Sequence, residues 1–363
     1  MKVFHCERCN HLLFFENSRC IVCDSRLAYI AEAGAIASLP PDAGEVWEAT
    51  VPTVAGQRFR LCQNYLEFDT CNWAVSEADG NLLCRSCRLT KIIPDTSTPE
   101  NRTAWYRVEA AKRRLVFTLV ALGLPISETD GSNGSPRTLT FEFKADPIDP
   151  AAPRVLTGHA DGVITINIAE ADDAERERRR QGLGEPYRTL LGHMRHESGH
   201  YYWDRLISDS AELEGFRTLF GDEQRDYAAA LKAHYDQGPP GDWPSRFVSA
   251  YATSHPWEDW AETWAHYLHM VDALETGADN GIVLTPRRPG EPALPRISPA
   301  VTSGRVPFDR LIDHWFSLTY VLNNLNRGLG LADGYPFVLS TPAIDKLRFV
   351  HDVICRATTT VRE

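Results

Sequence analysis

The chain has 363 residues, enough for two or three domains. Its 43% hydrophobic and 24% charged content is that of a globular protein with a real core. A formal net charge of -11 excludes a general attraction for phosphate backbones, and residues 1–95 carry 9 Lys+Arg against 12 Asp+Glu, so nucleic acid is the least supported partner. The N-terminus, MKVFHCERCNHLLFF, lacks the apolar stretch and cleavage site of a signal peptide, and the most apolar run, residues 115–126, is too short to span a bilayer. The expectation is a cytoplasmic protein with no membrane partner. Nine cysteines in a reducing compartment then point to metal binding over disulfides.

Eight of the nine cysteines lie in residues 1–95. Cys6-x2-Cys9 and Cys20-x2-Cys23 form two knuckles ten residues apart, the spacing of a structural zinc ribbon. Cys62, Cys71, Cys84 and Cys87 are less regular, and only the last two form a knuckle. The count nevertheless closes at four, which predicts a second tetrathiolate zinc site. Cys355 stands alone in a C-terminal helix and reads as a small core residue. Sites with four thiolates hold small folds together and do no hydrolysis. They present a surface to a protein partner, for substrate recruitment or for shielding a cleft.

The turn-rich stretch at residues 93–99 marks a boundary. It divides the chain into a zinc-ribbon region with two four-cysteine sites, 1–95, and a second domain, 96–363. The second domain opens with a helix over residues 99–124, capped by Thr98, with Pro99 in its first position and Trp105, Val108, Leu115, Leu119 and Leu122 on one face. A loop follows at 129–136, then strands at 139–143 and 162–168. The charged run 172–180 starts or precedes a helix. Helices are predicted over 187–207, near 222–235, over 256–276, over 311–325 and over 340–355. Residues 285–307, rich in Pro and Arg, read as a long surface loop.

The helix at 187–207 carries His196-Glu197-Ser198-Gly199-His200. Residues four apart share a helix face, so both imidazoles can bind one metal ion. Glu197 sits beside that face and can reach a metal-bound water, whose pKa zinc lowers towards neutrality. Glu197 is the candidate general base for attack on a carbonyl. Gly199 keeps the helix slim where another element could pack. Leu190, Leu191, Met194, Tyr201, Tyr202 and Trp203 flank the motif and mark a buried helix, where a chance His-Glu-His would be costly without a partner. His193, three residues before His196, reads as a partly exposed helix histidine, with a donor behind the metal site as the alternative, and is left out of the ligand set.

A third ligand is needed. The dense acidic segment downstream runs from Tyr251 to Glu262. Pro256 fits the first helical position, which puts Glu258, Asp259 and Glu262 in the first two turns. Glu258 and Glu262 share a face, and so do Glu262, His266 and His269. Two schemes result, with Glu258 or Glu262 as the ligand. A histidine ligand, His255 or His266, is a further alternative.

The His-Glu-x-x-His helix followed by Glu-x-x-Ala-Glu resembles the gluzincin metallopeptidases. In their lethal-factor branch the first glutamate of this pattern binds zinc, and a tyrosine seven residues earlier points into the active site. The resemblance implies Glu258 as the zinc ligand, Glu262 as a carboxylate behind a zinc-bound histidine, and Tyr251 as a donor to the oxyanion. It also implies that the strand at 162–168 is an edge strand that pairs with extended substrate. YLEFDTCNW, LCRSCRLTKIIPD, MRHESGHYYWDRL, HPWEDWAETWAHYLHM and YPFVLS are similar to stretches of a bacterial family of zinc-binding metallopeptidases with an N-terminal zinc ribbon. The expected fold is α+β, a four-cysteine zinc-ribbon region followed by a mainly helical zincin-like domain with a small sheet. The expected function is peptide-bond hydrolysis in a protein or peptide substrate, with one catalytic and two structural Zn2+. The competing expectation is an adaptor or scaffold whose metallopeptidase-like domain is catalytically silent.

Overall fold

The structure, a computed structural model, describes residues 2–126, 138–147, 149, 151–173, 176, 189–298, 301 and 306–360. The loop expected at 129–136 and most of the charged run at 172–180 lie outside them. The architecture is α+β. Among the described residues no helix is long and apolar enough to cross a membrane. Contacts divide the chain into two compact units, Met1–Phe117 with Thr138–Thr157 and Thr165–Asp172, and Thr118–Arg137 with Gly158–Ile164 and Asp173–Glu363.

The first unit begins with two hairpins. β1 (Phe4–His5) pairs antiparallel with β2 (Leu12–Leu13), and β3 (Leu27–Ile30) with β4 (Ala35–Ser38). The two cysteine knuckles are built alike. Asn10 N donates to Cys6 O at 2.8 Å, and Asp24 N donates to Cys20 O at 2.9 Å. Asn10 and Asp24 close these turns with φ of 56° and 57°, a region that Asn and Asp tolerate better than most residues. A meander of β5 (Val46–Glu48), β6 (Arg58–Leu61) and β7 (Ala74–Ser76) follows, with helix α1 (Gln63–Phe68) between its last two strands. β8 (Thr90–Ile92) leads into helix α2 (Pro99–Ala121), which ends three residues before the expected limit.

Phe15, Tyr29, Trp73 and Phe117 form the aromatic core of this unit, with ring centroids 5.2 Å apart for Phe15–Phe117 and 4.7 Å for Tyr29–Trp73. On α2, Lys112 and Glu109 are fully buried 2.7 Å apart, and Thr90 accepts from Lys112 and donates to Glu109. This closed triad satisfies charges that would be costly alone.

β9 (Thr140–Lys144) runs parallel to β8. β10 (Gly158–Ala160) turns through Asp161 and Gly162, both at positive φ, into β11 (Val163–Asn167). Two consecutive left-handed residues make the tight turn that suits a twisted hairpin. The strand order is β10-β11-β9-β8. The strand expected as the edge, 162–168, is therefore an inner strand flanked on both sides, and the edge is β10.

The second unit is helical. α3 (Leu190–Leu206) is capped by Thr189, whose hydroxyl accepts from Gly192 N at 2.9 Å. α4 (Leu213–Phe220) was not expected, because its eight residues are too few to display a clear period. α5 (Tyr227–Gln237) starts at the Asp226 cap. α6 (Pro256–Asp279) starts with Pro256 in its first turn and is almost wholly buried. α7 (Phe308–Gly328) and α8 (Thr341–Thr360) follow. Over 285–298 the expected surface loop is present, irregular and mostly exposed, anchored by buried Leu294 and by Ile297, which fits against Gly277 of α6.

α3 and α6 pack at very close range. A Cβ added to Gly199 would lie 2.8 Å from Ala261 Cα. Trp260 Nε1 donates to Gly199 O at 2.8 Å, and Trp264 Nε1 to Ser198 Oγ at 3.1 Å. The indoles of α6 thus take up polar atoms on α3 while filling the space around the contact.

Candidate metal centres and active site

The four sulfurs of Cys6, Cys9, Cys20 and Cys23 lie within 4.8 Å of one another, and so do those of Cys62, Cys71, Cys84 and Cys87. Sγ–Sγ distances are 3.5 Å for Cys6–Cys23 and for Cys9–Cys20, and 3.7 Å for Cys71–Cys84. A disulfide needs about 2.05 Å, whereas thiolates placed tetrahedrally about 2.3 Å from a zinc ion lie about 3.8 Å apart. The spacing fits a shared metal. Backbone donors reach two of the buried sulfurs. Cys84 N donates to Cys62 Sγ at 3.3 Å and Trp73 N to Cys71 Sγ at 3.4 Å. Hydrogen bonding with Ser25 brings the Cys23 thiol down to about 6, whereas burial pushes the Cys71 and Cys84 thiols well above their ordinary value. The buried guanidinium of Arg113 donates to Thr70 O, one residue before Cys71. Cys355 belongs to neither group and lies 3.5 Å from His351 Nε2 on α8.

The third group is His196, His200 and Glu258. His196 Nε2 and His200 Nε2 lie 3.0 and 3.6 Å from Glu258 Oε2. That oxygen is buried and, beyond these two imidazoles, has no hydrogen-bond partner among the described residues. The other carboxylate oxygen, Oε1, accepts from the Tyr227 hydroxyl at 2.6 Å. Burial would raise the Glu258 pKa, but the two imidazoles outweigh it and hold the carboxyl well below its usual range.

Glu262 is placed differently. Its Oε1 accepts from His196 Nδ1 at 2.7 Å and its Oε2 from Ser249 Oγ at 2.6 Å. Both oxygens are thus engaged on the far side of the His196 ring from Nε2. Ser249 Oγ in turn accepts from Ala252 N at 3.1 Å, which ties this network to the short turn Tyr251–Thr253. The Tyr251 ring lies 5.9 Å from that of His196, centroid to centroid. Burial would lower the His196 pKa; Glu258 and Glu262 reverse this and raise it well above the ordinary value.

Glu197 Oε1 lies 3.1 Å from His193 Nε2, one turn back on the same helix. Burial pushes the Glu197 carboxyl up, and the His193 contact brings it net below its ordinary value. His193 is therefore partly exposed, as expected, and also a partner of Glu197; its side chain is 13% exposed. The four-residue spacing to Glu197 was the available signal, overlooked by counting from His196. The spacing of Tyr227 and Ser249 carries no such signal.

The remaining histidine candidates have other work. His255 caps α6, accepting from Trp257 N at 3.1 Å through Nδ1 and donating to Arg225 O at 3.1 Å through Nε2. His266 Nδ1 pairs with the Tyr335 hydroxyl at 2.7 Å, and burial lowers its pKa to about 4. On the other side of the centre, His159 of β10 stacks on His200 with centroids 6.1 Å apart. The chain thus has a helix-borne group of two histidines and a glutamate with an adjacent carboxylate, and two tetrathiolate groups nearer the N-terminus.

A family model described as "putative zinc-binding metallo-peptidase" matches residues 101–353, and a zinc-ribbon domain model matches residues 3–98. The chain belongs to that metallopeptidase family. It is 42% identical over 357 residues to an uncharacterized protein of Mycobacterium bovis and, to the same extent, to one of Mycobacterium tuberculosis; the match covers 98% of this chain and 95% of each relative. No solved structure matches it.

Proposed function

We propose that this chain is a zinc-dependent peptidase that binds its catalytic ion through His196, His200 and Glu258 and uses Glu197 as general base. The observation that carries this reading is Glu258 Oε2, a buried oxygen 3.0 and 3.6 Å from two imidazole nitrogens, with no other hydrogen-bond partner among the described residues. Ligand bonds of about 2.1 Å in tetrahedral geometry call for separations of about 3.4 Å, between those two values. An ion there supplies the positive charge that acidifies a water and polarises a carbonyl.

The protein supplies the rest. Glu262 holds His196 by Nδ1, which leaves Nε2 for the metal. His193 holds Glu197 Oε1, so Oε2 is available to take the proton of the attacking water and pass it to the leaving nitrogen. Such a base is worth about 10²–10⁴-fold in rate. Tyr251, held beside His196 by the Ser249 network, donates to the oxyanion. An extended peptide pairs with β10, whose His159 already lies against His200. Two further zinc ions in the four-cysteine groups stabilise the N-terminal region, where exposed Leu12, Phe14, Ile21 and Val22 support a protein-binding role.

Zinc per chain and cleavage of a denatured protein test the reading together. Wild type should hold three zinc ions and cleave. Glu197→Gln should hold three and fail to cleave, and His196→Ala and Glu258→Ala should hold two. Cleavage surviving in Glu197→Gln would sink the mechanism. Three ions in Glu258→Ala with two in Glu262→Ala would move the third ligand.

A further inference from the structure

We propose that Tyr227 is a positioning residue for Glu258 and that, through its hydroxyl, the docking of α5 is coupled to occupancy of the His196–His200–Glu258 site. The inference rests on the zinc reading above.

α5 is unusual among the helices around the centre, because none of its residues is buried. Hydrophobic burial therefore contributes little to holding it in place. Its first residue nevertheless reaches the middle of the site. Tyr227 OH donates to Glu258 Oε1 at 2.6 Å, while its ring packs edge-on against His255, the cap of α6, with centroids 5.2 Å apart. Near the other end of α5, His234 Nδ1 lies 3.3 Å from Thr253 Oγ1, and the His234 ring is 5.9 Å from that of Tyr251. One side of α5 thus meets the metal-ligand carboxylate, and its far end meets the turn that carries Tyr251.

The hydroxyl has a definite effect on Glu258. It occupies one carboxylate oxygen and leaves the other, Oε2, facing the two imidazoles. This fixes the rotation of the carboxylate and would leave Oε2 as the oxygen that holds a metal, so less freedom would be lost on binding. Outer partners of this kind contribute about 10–100-fold in metal affinity. Coupling is reciprocal, so an ion that tightens Glu258 must also tighten the docking of α5 by the same factor.

The test uses the full chain with both four-cysteine groups loaded, zinc as the probe and a graded competing chelator, and follows amide hydrogen exchange across residues 227–237. Tyr235→Phe, an exposed tyrosine on the same helix, is the matched control. The expected result is that Tyr227→Phe weakens zinc at the third site by about 10–100-fold. Zinc should slow exchange in α5 of wild type and Tyr235→Phe and have no such effect in Tyr227→Phe. Equal zinc affinity in wild type and Tyr227→Phe, or zinc-dependent protection that survives the substitution, overturns the coupling alone. A wild-type chain that takes only two zinc ions overturns the zinc reading and the coupling with it.

Discussion

Gly199→Ala is the sharpest test of how the helices set the site. The added Cβ would sit 2.8 Å from Ala261 Cα and 3.3 Å from Ala261 Cβ and O, whereas ordinary van der Waals contact begins at 3.4 Å. The shortfall of about 0.6 Å is against backbone, which cannot rotate away as a side-chain tip can, so α3 and α6 must separate. The proposed ligands are divided between those helices, His196 and His200 on α3 and Glu258 on α6, and ligand distances tolerate only about 0.2 Å of error. The separation exceeds that tolerance about threefold. Stability responds less. Overpacking costs about 1–3 kcal/mol, offset by about 1 kcal/mol from the better helix propensity of alanine. The expected outcome is a folded chain, destabilised by about 0–2 kcal/mol, that keeps two zinc ions and loses most of the third along with its activity. Urea unfolding and metal analysis on one preparation would measure both effects. A variant with three tightly bound ions and a stability gain of about 1 kcal/mol would refute the argument, because it would mean that the helices do not meet this closely.

Two further changes separate structural from catalytic charges. Asp272 on α6 receives the Arg195 guanidinium and, at 2.5 Å, the Thr118 hydroxyl, with both charged side chains nearly buried. Asp272→Ala should cost about 3–5 kcal/mol in the urea transition by removing the carboxylate that balances Arg195; a loss below about 1 kcal/mol would show the pair to be well solvated. Glu223 is held below its ordinary pKa of 4.5 by its hydrogen bond with Arg217. A depressed folded-state value adds stability above the unfolded pKa, and that stability is lost as pH falls through the folded value. Glu223→Gln should flatten the acid side of the stability profile below about pH 4.5 and leave pH 7 to 8 parallel to wild type; an unchanged acid limb would exclude the pair as its source.

Short-range spacing made some features legible in advance. Two residues between cysteines and four between histidines are distances that a knuckle or one helical turn enforces wherever the chain sits. The cysteine groups, the face shared by His196 and His200, and the Pro256 start of α6 could therefore be read from residue order. So could most helices, because their apolar period repeats over several turns. α4 was too short for this, and the edge role of β10 was misassigned to the longer strand beside it, since strand order depends on pairing between distant segments.

The roles of Glu258 and Glu262 depended on more than periodicity. They are one turn apart on the same face of α6, so the helical repeat treats them alike. Their difference arises from the close approach of α3 and α6 at Gly199, which points one carboxylate at the Nε2 atoms and carries the other past them to Nδ1 and Ser249. Tyr227 is further still from the reach of sequence patterns, 31 residues from Glu258 and on a helix with no buried face. Residue order determined which groups could share a metal ion, because that is a matter of local geometry, and the family resemblance favoured Glu258 over Glu262. Tertiary packing decided which carboxylate lies at the two Nε2 atoms and which hydroxyl holds it, because those distances are set between helices and not along one.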